Sequence, residues 1–295
     1  RDWYETQKGY LQQLHSVAWS NQDRKRINTG WDTKKILPII CAGDVFDKWN
    51  SPPELINLAL EYLPEMYAVP GQHDLPNHSY DNIKKSAFWT LVEAGKIKLL
   101  EPGSPLYTGG PFPMALYGFP YGYEVSPAPK DRVRDLYRDI AVIHSYIWTE
   151  GASYPGAPEE KHLRVHKKNL EGYDIAIYAD NHIPFDNIDS RGKCVVYNNG
   201  SFMRRKSDET HRPSIGLFYP DGSVKRHYLD ISQDNYLSGE EAKEISSGIG
   251  IQSFIEELTT LGDAALNFAE SMNRLLERDK VPEEVKQLIL NAMER

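Results

Sequence analysis

The sequence has few cysteines and no long apolar run. Cys41 and Cys194 are the two cysteines among 295 residues, and both lie in short apolar segments. Two cysteines in a chain of this length do not make a disulfide framework, so we read them as buried free thiols and expect a reducing compartment, the cytoplasm. No segment approaches the ~18 consecutive apolar residues of a membrane span, so we expect no membrane contact.

Positive charge is scarcer than negative charge. The chain has 34 Lys and Arg against 42 Asp and Glu, a net charge of −8. This balance argues against a protein that coats nucleic acid nonspecifically, but it leaves room for an enzyme with a local basic groove. The length and a hydrophobic content of 40% are enough for one large domain, with or without an appendage.

Apolar periodicity predicts mixed α and β structure up to residue 231. Residues 3–19 have helical spacing, and the short apolar runs at 36–42 and 66–69 predict strands. Between these strands, Ser51-Pro52-Pro53 predicts a helix start with Ser51 as N-cap. This β-α-β unit favours a parallel pair of strands. Further predicted elements are a helix at 86–94, strands at 97–100, 115–119, 139–143, 173–178 and 195–197, and a hairpin at 214–229 around Pro220-Asp221-Gly222.

The end of the chain has a different character. We predict a domain over residues 1–231, a polar linker over 232–250 and a helical extension over 251–295, where apolar residues recur at helical spacing. Such helices either pack on their own domain, pair in an oligomer, or bind a dedicated partner. We favour the first two of these over the third.

Four polar patches follow strand-like runs. They are Gly43-Asp44-Val45-Phe46-Asp47, Gly71-Gln72-His73-Asp74, the lone His144, and Ala179-Asp180-Asn181-His182. Loops at strand ends can bring such side chains to one point, and carboxylates, amides and imidazoles together indicate a metal site with hydrolytic chemistry. Taken singly, the first patch also fits a capped turn, and His144 also fits a satisfied core histidine.

Taken together and in this order, the patches resemble the calcineurin-like metallophosphoesterases. That family has G-D-x-x-D, G-N-H-[DE], a lone His and G-H-x-H in sequence, and the resemblance covers residues 36–205. It implies an α+β fold, a four-layer αββα sandwich that holds two divalent metal ions at its strand ends. A hydroxide that bridges the two ions is implied to attack a phosphoester in line.

The resemblance also implies the ligands. Asp44 would bridge both ions, and Gln72, His144 and Asp180 would complete the shell of one of them. His182 would bind the other ion.

Three further residues receive roles from the same resemblance. His73 would stabilise or protonate the leaving oxygen, and Asp74 would orient the His73 ring. Asp47 would support the ligands from behind.

The sequence departs from the family pattern at three places. Gln72 replaces an asparagine, and Asp180 replaces a histidine after Ala179, which replaces a glycine. A carboxylate in place of an imidazole makes the site harder, so we expect Mn²⁺ first and Mg²⁺ second, in preference to Zn²⁺. The opening D-x-H motif of the family is not found, and we expect it, with its strand, upstream of Arg1.

Within the family, several segments are most similar to SbcD-type DNA repair nucleases, including members borne by phages. They are Glu93–Ile97, Leu116–Gly122 and Asn198–Arg204. This similarity implies DNA as substrate and either an SbcC-like coiled-coil ATPase or a second copy as partner of the C-terminal helices. The basic residues Arg204, Arg205 and Arg212 fit either phosphate contacts or a solvated charged loop.

Three functional hypotheses follow. The leading one is a metal-dependent phosphodiesterase that acts on DNA as an exonuclease or endonuclease. The second is a phosphomonoesterase or small-nucleotide phosphodiesterase on the same fold. The third is a catalytically weak scaffold subunit, a hypothesis that rests on the altered ligands Gln72 and Asp180.

Overall fold

The described part of the chain contains a three-stranded sheet, a six-stranded sheet and a separate two-stranded hairpin, with helices and short helical turns outside them. The computed structural model describes residues 3–19, 38–109, 112–130, 137–188, 194–203, 212–219 and 221–234. The helices in this part are α1 (Trp3–Trp19), α2 (Pro53–Tyr62), α3 (Ala87–Glu93) and α4 (Leu163–His166). The strands are β1 (Ile39–Cys41), β2 (Met66–Ala68), β3 (Ile97–Leu99), β4 (Leu106–Tyr107), β5 (Met114–Phe119), β6 (Arg138–His144), β7 (Ile175–Ala179), β8 (Phe185–Ile188), β9 (Val195–Asn198), β10 (Ser214–Phe218) and β11 (Val224–Tyr228).

The smaller sheet has three parallel strands in the order β1-β2-β3. The helix α2 connects β1 to β2, so the predicted β-α-β unit is confirmed. Apolar side chains of α1, α2 and α3, among them Leu11, Ala59 and Leu91, pack with Met66 and Ala68 on one face of this sheet. The helices therefore form the first layer and the small sheet the second.

The larger sheet has six strands in the order β4-β5-β6-β7-β9-β8. Its four central strands are parallel, and β4 and β8 pair antiparallel at the two edges. Side chains of β5 alternate between faces, as a strand requires. Met114 and Leu116 belong to one core cluster, while Ala115 and Tyr117 belong to another.

These two clusters define the remaining layers. The first joins Ala42, Val69 and Leu100 of the small sheet's strand ends to Leu116 and Val142 of the large sheet, so it is the core between the sheets. The second covers the outer face of the large sheet with a layer of short turns, with Ile147, Leu163 and Leu170 as its apolar side chains. The α+β four-layer sandwich implied by the sequence is confirmed. The hairpin of β10 and β11 is confirmed as well.

Parallel pairing determines where the polar patches lie. The strands β1, β2, β6 and β7 each lead directly into one patch, and the register places His144 beside Ala179 at the ends of β6 and β7. Because parallel strands present their carboxyl ends at one edge, loops that follow them can meet there.

One predicted cap was wrong. The residue that caps α2 is Pro52, without a side-chain hydrogen bond, and the Ser51 hydroxyl donates instead to the Lys48 carbonyl at 2.8 Å. Serine forms such local turn bonds readily, and they compete with capping.

Several predictions lie outside the described residues. These are the helical extension at 251–295, all of the linker at 232–250 except its first three residues, and the side chains of Arg204 and Arg205. No helix in the described ranges is long and apolar enough to cross a membrane.

Candidate metal centre

Three side chains from three strand ends converge. Asp44, His144 and Asp180 each offer one ligand atom, and these atoms all lie within 4.8 Å of one another. Asp44 lies in the loop after β1, His144 is the last residue of β6, and Asp180 follows β7 directly. The small sheet therefore supplies one of these ligands and the large sheet supplies two.

The side-chain amide of Gln72 lies among these ligands. Its Oε1 is 2.6 Å from His144 Nε2, and its Nε2 donates to Asp180 Oδ1 at 2.9 Å. Two carboxylates, one imidazole and one amide oxygen form a donor set that suits Mn²⁺ or Mg²⁺. The residues present therefore fit a divalent cation.

The backbone determines which nitrogen of His144 faces this cluster. The side chain is buried, and its Nδ1 lies 2.5 Å from the Ala42 carbonyl, which accepts the Nδ1 proton. Nε2 then faces Gln72 Oε1 and Asp44 Oδ2, the latter at 3.5 Å. Metal-binding histidines commonly have their second nitrogen fixed in this way.

The contact between His144 and Asp44 also shifts the pKa values of both residues. Burial lowers the pKa of His144, but the hydrogen bond and charge of Asp44 outweigh burial, so the net pKa is raised. Burial likewise raises the pKa of Asp44, and contact with His144 outweighs it and lowers that pKa. Oxygen atoms around Nε2 thus favour a positive charge at this position, which a proton or a cation can supply.

Both carboxylate ligands have left-handed backbone conformations. The φ angle is +54° at Asp44 and +79° at Asp180. Aspartate tolerates this region better than most residues, although it costs about 1 kcal/mol. Sparse backbone conformations of this kind concentrate at functional sites.

Two glycines allow the first two loops to touch. A Cβ at Gly71 would lie 2.5 Å from His144 Cε1 and 2.6 Å from the Asp44 amide nitrogen, and a Cβ at Gly43 would lie 2.8 Å from the Gly71 amide nitrogen. Gly43 also has a φ of +102°, which side chains disfavour. The first two patches therefore begin with glycine because the backbones of their loops are in close contact.

The carboxylate of Asp74 connects these loops. It is fully buried and accepts backbone N–H bonds from Gly71 at 3.0 Å, Phe46 at 3.0 Å and Val45 at 3.2 Å. In the described part of the chain its bonds run to these amides and not to the His73 ring, which is a different role from the orienting one expected. Burial raises the pKa of Asp74 to about 6 against the effect of the three donors.

The other predicted site residues are exposed. The His73 amide donates to Asp44 Oδ1 at 3.1 Å, so this residue adjoins the cluster while its side chain is exposed. His182 is outside the ligand cluster, and its carbonyl accepts the Ser201 amide proton at 3.1 Å. Asp47 is exposed at the far end of its loop.

Two buried asparagines, which the sequence analysis did not single out, hold the loop after β7 that carries Asp180. Asn181 donates to the carbonyls of Ile147 at 2.9 Å and Ala152 at 2.8 Å. Asn198, the last residue of β9, donates to the carbonyls of Asn181 at 2.7 Å and Ile183 at 3.0 Å. Asn181 lies two residues after β7 and Asn198 ends β9, and an asparagine at the end of an apolar run was the available signal for both.

The basic residues of the hairpin have structural partners. Arg212 lies over the Tyr228 ring at 5.1 Å and donates from Nε to the Leu229 carbonyl at 3.4 Å. Arg226 lies over the Tyr197 ring at 4.8 Å and donates to the Asn198 carbonyl at 3.0 Å. The predicted phosphate contact of Arg212 would therefore have to form beside these interactions.

Sequence comparison assigns the family. The model of the calcineurin-like phosphoesterase family (Metallophos) matches residues 17–184, more than half of the chain. The protein belongs to the calcineurin-like phosphoesterase family. Members of this family hydrolyse phosphoesters with the help of divalent metal ions, and the cluster of Asp44, His144 and Asp180 lies within the matched range.

Solved structures give more distant similarities. The sulfate thiohydrolase SoxB of Thermus thermophilus shares 11% identity with a TM-score of 0.42, over 66% of this chain and 38% of that one. The phosphopantetheinyl hydrolase PptH of Mycobacterium tuberculosis shares 14% identity with a TM-score of 0.36, over 64% of this chain and 86% of that one. The comparison with curated proteins gave no match.

Proposed function

We propose that this calcineurin-like phosphoesterase is a phosphodiesterase that cleaves DNA and uses Mn²⁺ in preference to Zn²⁺. The observation that carries the proposal is the convergence of Asp44, His144 and Asp180 within 4.8 Å, with the Gln72 amide between them. A cation held by these four side chains supplies Lewis acidity to a phosphoester oxygen. The oxygen-rich donor set supports Mn²⁺.

The side chain of His73 supports a role in proton transfer. Its amide is bonded to Asp44, and its imidazole is exposed beside the ligands, where a substrate can reach it. An imidazole in this position can donate a proton to the leaving oxygen of the phosphoester. The Asp74 carboxylate bonds to the Val45, Phe46 and Gly71 amides, so the orientation of the His73 ring in this role is set by the substrate rather than by Asp74.

A second ion is part of the proposal. His182 lies two residues after Asp180 and outside the cluster of Asp44, His144 and Asp180, and we infer that it is a ligand of this second ion.

The choice of DNA rests on the three segments that are similar to SbcD-type nucleases. One of them, Leu116–Gly122, includes most of β5 and the turn after it, and in this turn the Tyr121 amide donates to the Pro70 carbonyl at 3.2 Å. A segment similar to the nucleases therefore contacts the loop that carries Gln72 and His73.

A substrate panel tests this function. The protein is incubated with Mn²⁺ and a DNA oligonucleotide, bis(p-nitrophenyl) phosphate, a cyclic nucleotide or p-nitrophenyl phosphate. We expect cleavage of the oligonucleotide and of the simple diester. Cleavage of the monoester or cyclic nucleotide alone would favour a phosphomonoesterase or small-nucleotide enzyme, and no cleavage at all would favour a scaffold subunit.

A variant tests the role of His73. His73→Ala should lower kcat on DNA by about 10²- to 10⁴-fold, because it removes a proton donor. Calorimetry should show Mn²⁺ binding close to that of the unaltered protein. His227→Ala, which removes an exposed histidine from the hairpin, is the control and should leave kcat unchanged.

A further inference from the structure

Two exposed tyrosines follow β5 beside the candidate metal centre. Tyr121 and Tyr123 retain 37% and 40% of their exposure, in the turn that begins at Pro120. The Tyr121 amide donates to the Pro70 carbonyl, one residue before the Gly71–Asp74 patch. This bond joins the backbone of the turn that carries both tyrosines to the loop that carries Gln72.

Each tyrosine ring contacts a second aromatic ring. The His78 ring lies 6.1 Å from the Tyr121 ring at an angle of 56°, and the Tyr80 ring lies 5.4 Å from the Tyr123 ring in an edge contact of 75°. Edge and tilted contacts of this kind stabilise ring positions. His78 also bonds through Nδ1 to the Gln72 carbonyl at 3.1 Å, which connects it directly to a candidate ligand.

The backbone beneath these rings is strained. Asn77 and His78 have φ angles of +53° and +56°, two consecutive left-handed residues that are not glycine. Bonds from the His78 amide to the Leu75 carbonyl at 3.0 Å and from the Ser79 amide to the Pro76 carbonyl at 3.1 Å hold this turn. In this conformation the His78 ring contacts both the Gln72 carbonyl and the Tyr121 ring, and strained backbone of this kind concentrates at functional sites.

We propose that Tyr121 and Tyr123 form a stacking platform for the bases of single-stranded DNA next to the metal ligands. The proposal rests on the proposed function and narrows its DNA substrate to single strands. Aromatic side chains bind single strands because every base has a π-face, whereas bases in a duplex are already stacked on one another. The platform therefore selects unpaired ends or single strands over duplex DNA.

The test measures binding separately from cleavage. The affinity of the full chain for a fluorescein-labelled ten-nucleotide oligothymidylate is measured by anisotropy in EDTA, and compared with that for an oligonucleotide of the same length without bases. We expect Tyr121→Ala and Tyr123→Ala each to reduce the ratio of the two affinities about tenfold. Tyr121→Phe retains the ring and should retain the ratio.

Tyr107→Ala is the matched control. Tyr107 is also an exposed tyrosine, at 54%, and its ring contacts that of Tyr137 at 4.9 Å on the edge strand β4. Its removal should leave the ratio unchanged. An equal loss in Tyr107→Ala and Tyr121→Ala, or no loss in Tyr121→Ala and Tyr123→Ala, would overturn the platform.

The platform and the nuclease function fail in different ways. Oligonucleotide binding that depends on Tyr121 without cleavage in Mn²⁺ retains the platform and rejects the nuclease. Cleavage of the oligonucleotide with an unchanged affinity ratio in Tyr121→Ala retains the nuclease and rejects the platform. An unchanged ratio together with a change in sedimentation coefficient would identify the two tyrosines as a protein contact, which also overturns the proposal.

Discussion

At the scale of single residues, the candidate metal centre depends on the space left by Gly71. The Asp44 backbone and the His144 ring both occupy the volume that a side chain at this position would need. Ligand geometry therefore depends on a residue that contributes no ligand atom.

Replacing this glycine should disrupt the site. In Gly71→Ala, the new methyl group displaces Asp44 or His144, so we expect Mn²⁺ affinity to fall by at least about tenfold, measured by calorimetry. Gly109→Ala is the control, because a Cβ at Gly109 meets nothing within 4 Å. Equal Mn²⁺ affinity in the two variants would contradict the close approach of the loops.

A second residue-scale prediction concerns Asp74. In Asp74→Asn, one carboxylate oxygen becomes an NH₂ group that faces a backbone N–H donor, so we expect a loss of about 3 kcal/mol in the free energy of unfolding. The measurement is urea denaturation at pH 7.5. Asp81→Asn, at an exposed carboxylate, should change the free energy by less than about 0.5 kcal/mol.

The roles of these residues differ in how far the sequence could predict them. Asp44, His144 and Asp180 lie at or just after the ends of apolar strands, and this placement, together with the family resemblance, predicted that they converge. The role of Asp74 depends on three amides from two loops, and nothing in the local sequence shows which groups a buried carboxylate will meet. The close approach of Asp44 and His144 to Gly71 could not be predicted either, because it joins residues that are far apart in the sequence.

At the scale of elements, strand ends position the site and loop anchors hold it there. The loop after β7 carries Asp180, and Asn198 at the end of β9 holds that loop through two carbonyls. The sequence predicted β7 and β9, since both are apolar runs. It did not predict their connection, since a side chain that bonds to main-chain carbonyls has no periodicity.

The anchor can be tested directly. Asn198→Asp keeps the size of the side chain but places a carboxylate against the carbonyls of Asn181 and Ile183. We expect the loop with Asp180 to shift and Mn²⁺ affinity to fall about 10- to 100-fold. Asn82→Asp is the control, because Asn82 accepts a bond from Lys85 and a carboxylate there is favourable. Unchanged Mn²⁺ affinity in Asn198→Asp would contradict the role of Asn198 in anchoring the loop that carries Asp180.

At the scale of the whole molecule, the two sheets share one site. The small sheet supplies Asp44 and Gln72, and the large sheet supplies His144 and Asp180. A cation bound by all four side chains therefore connects the two halves of the sandwich. The four layers were predicted from the family resemblance, whereas the apolar strands by themselves require only that the faces of the sheets be covered.

Metal binding should consequently stabilise the fold. At a free Mn²⁺ concentration of 100 times Kd, linkage predicts about 2.7 kcal/mol of added stability. For a domain of this size we expect Tm to rise by about 5–10 °C relative to EDTA, measured by calorimetry. Asp44→Asn should show a much smaller rise, and an equal rise in both proteins would mean that Mn²⁺ stabilises the chain at another place.

The shared site also has a consequence for the order of folding. Asp44 and Asp180 are distant in sequence and become neighbours when the two sheets dock, so the ligand set is incomplete in any state that has formed one sheet alone. Ion capture is then a late event, after the slow, non-local pairing of parallel strands. The ion would slow unfolding while leaving the rate of folding nearly unchanged, and so extend the lifetime of the native state.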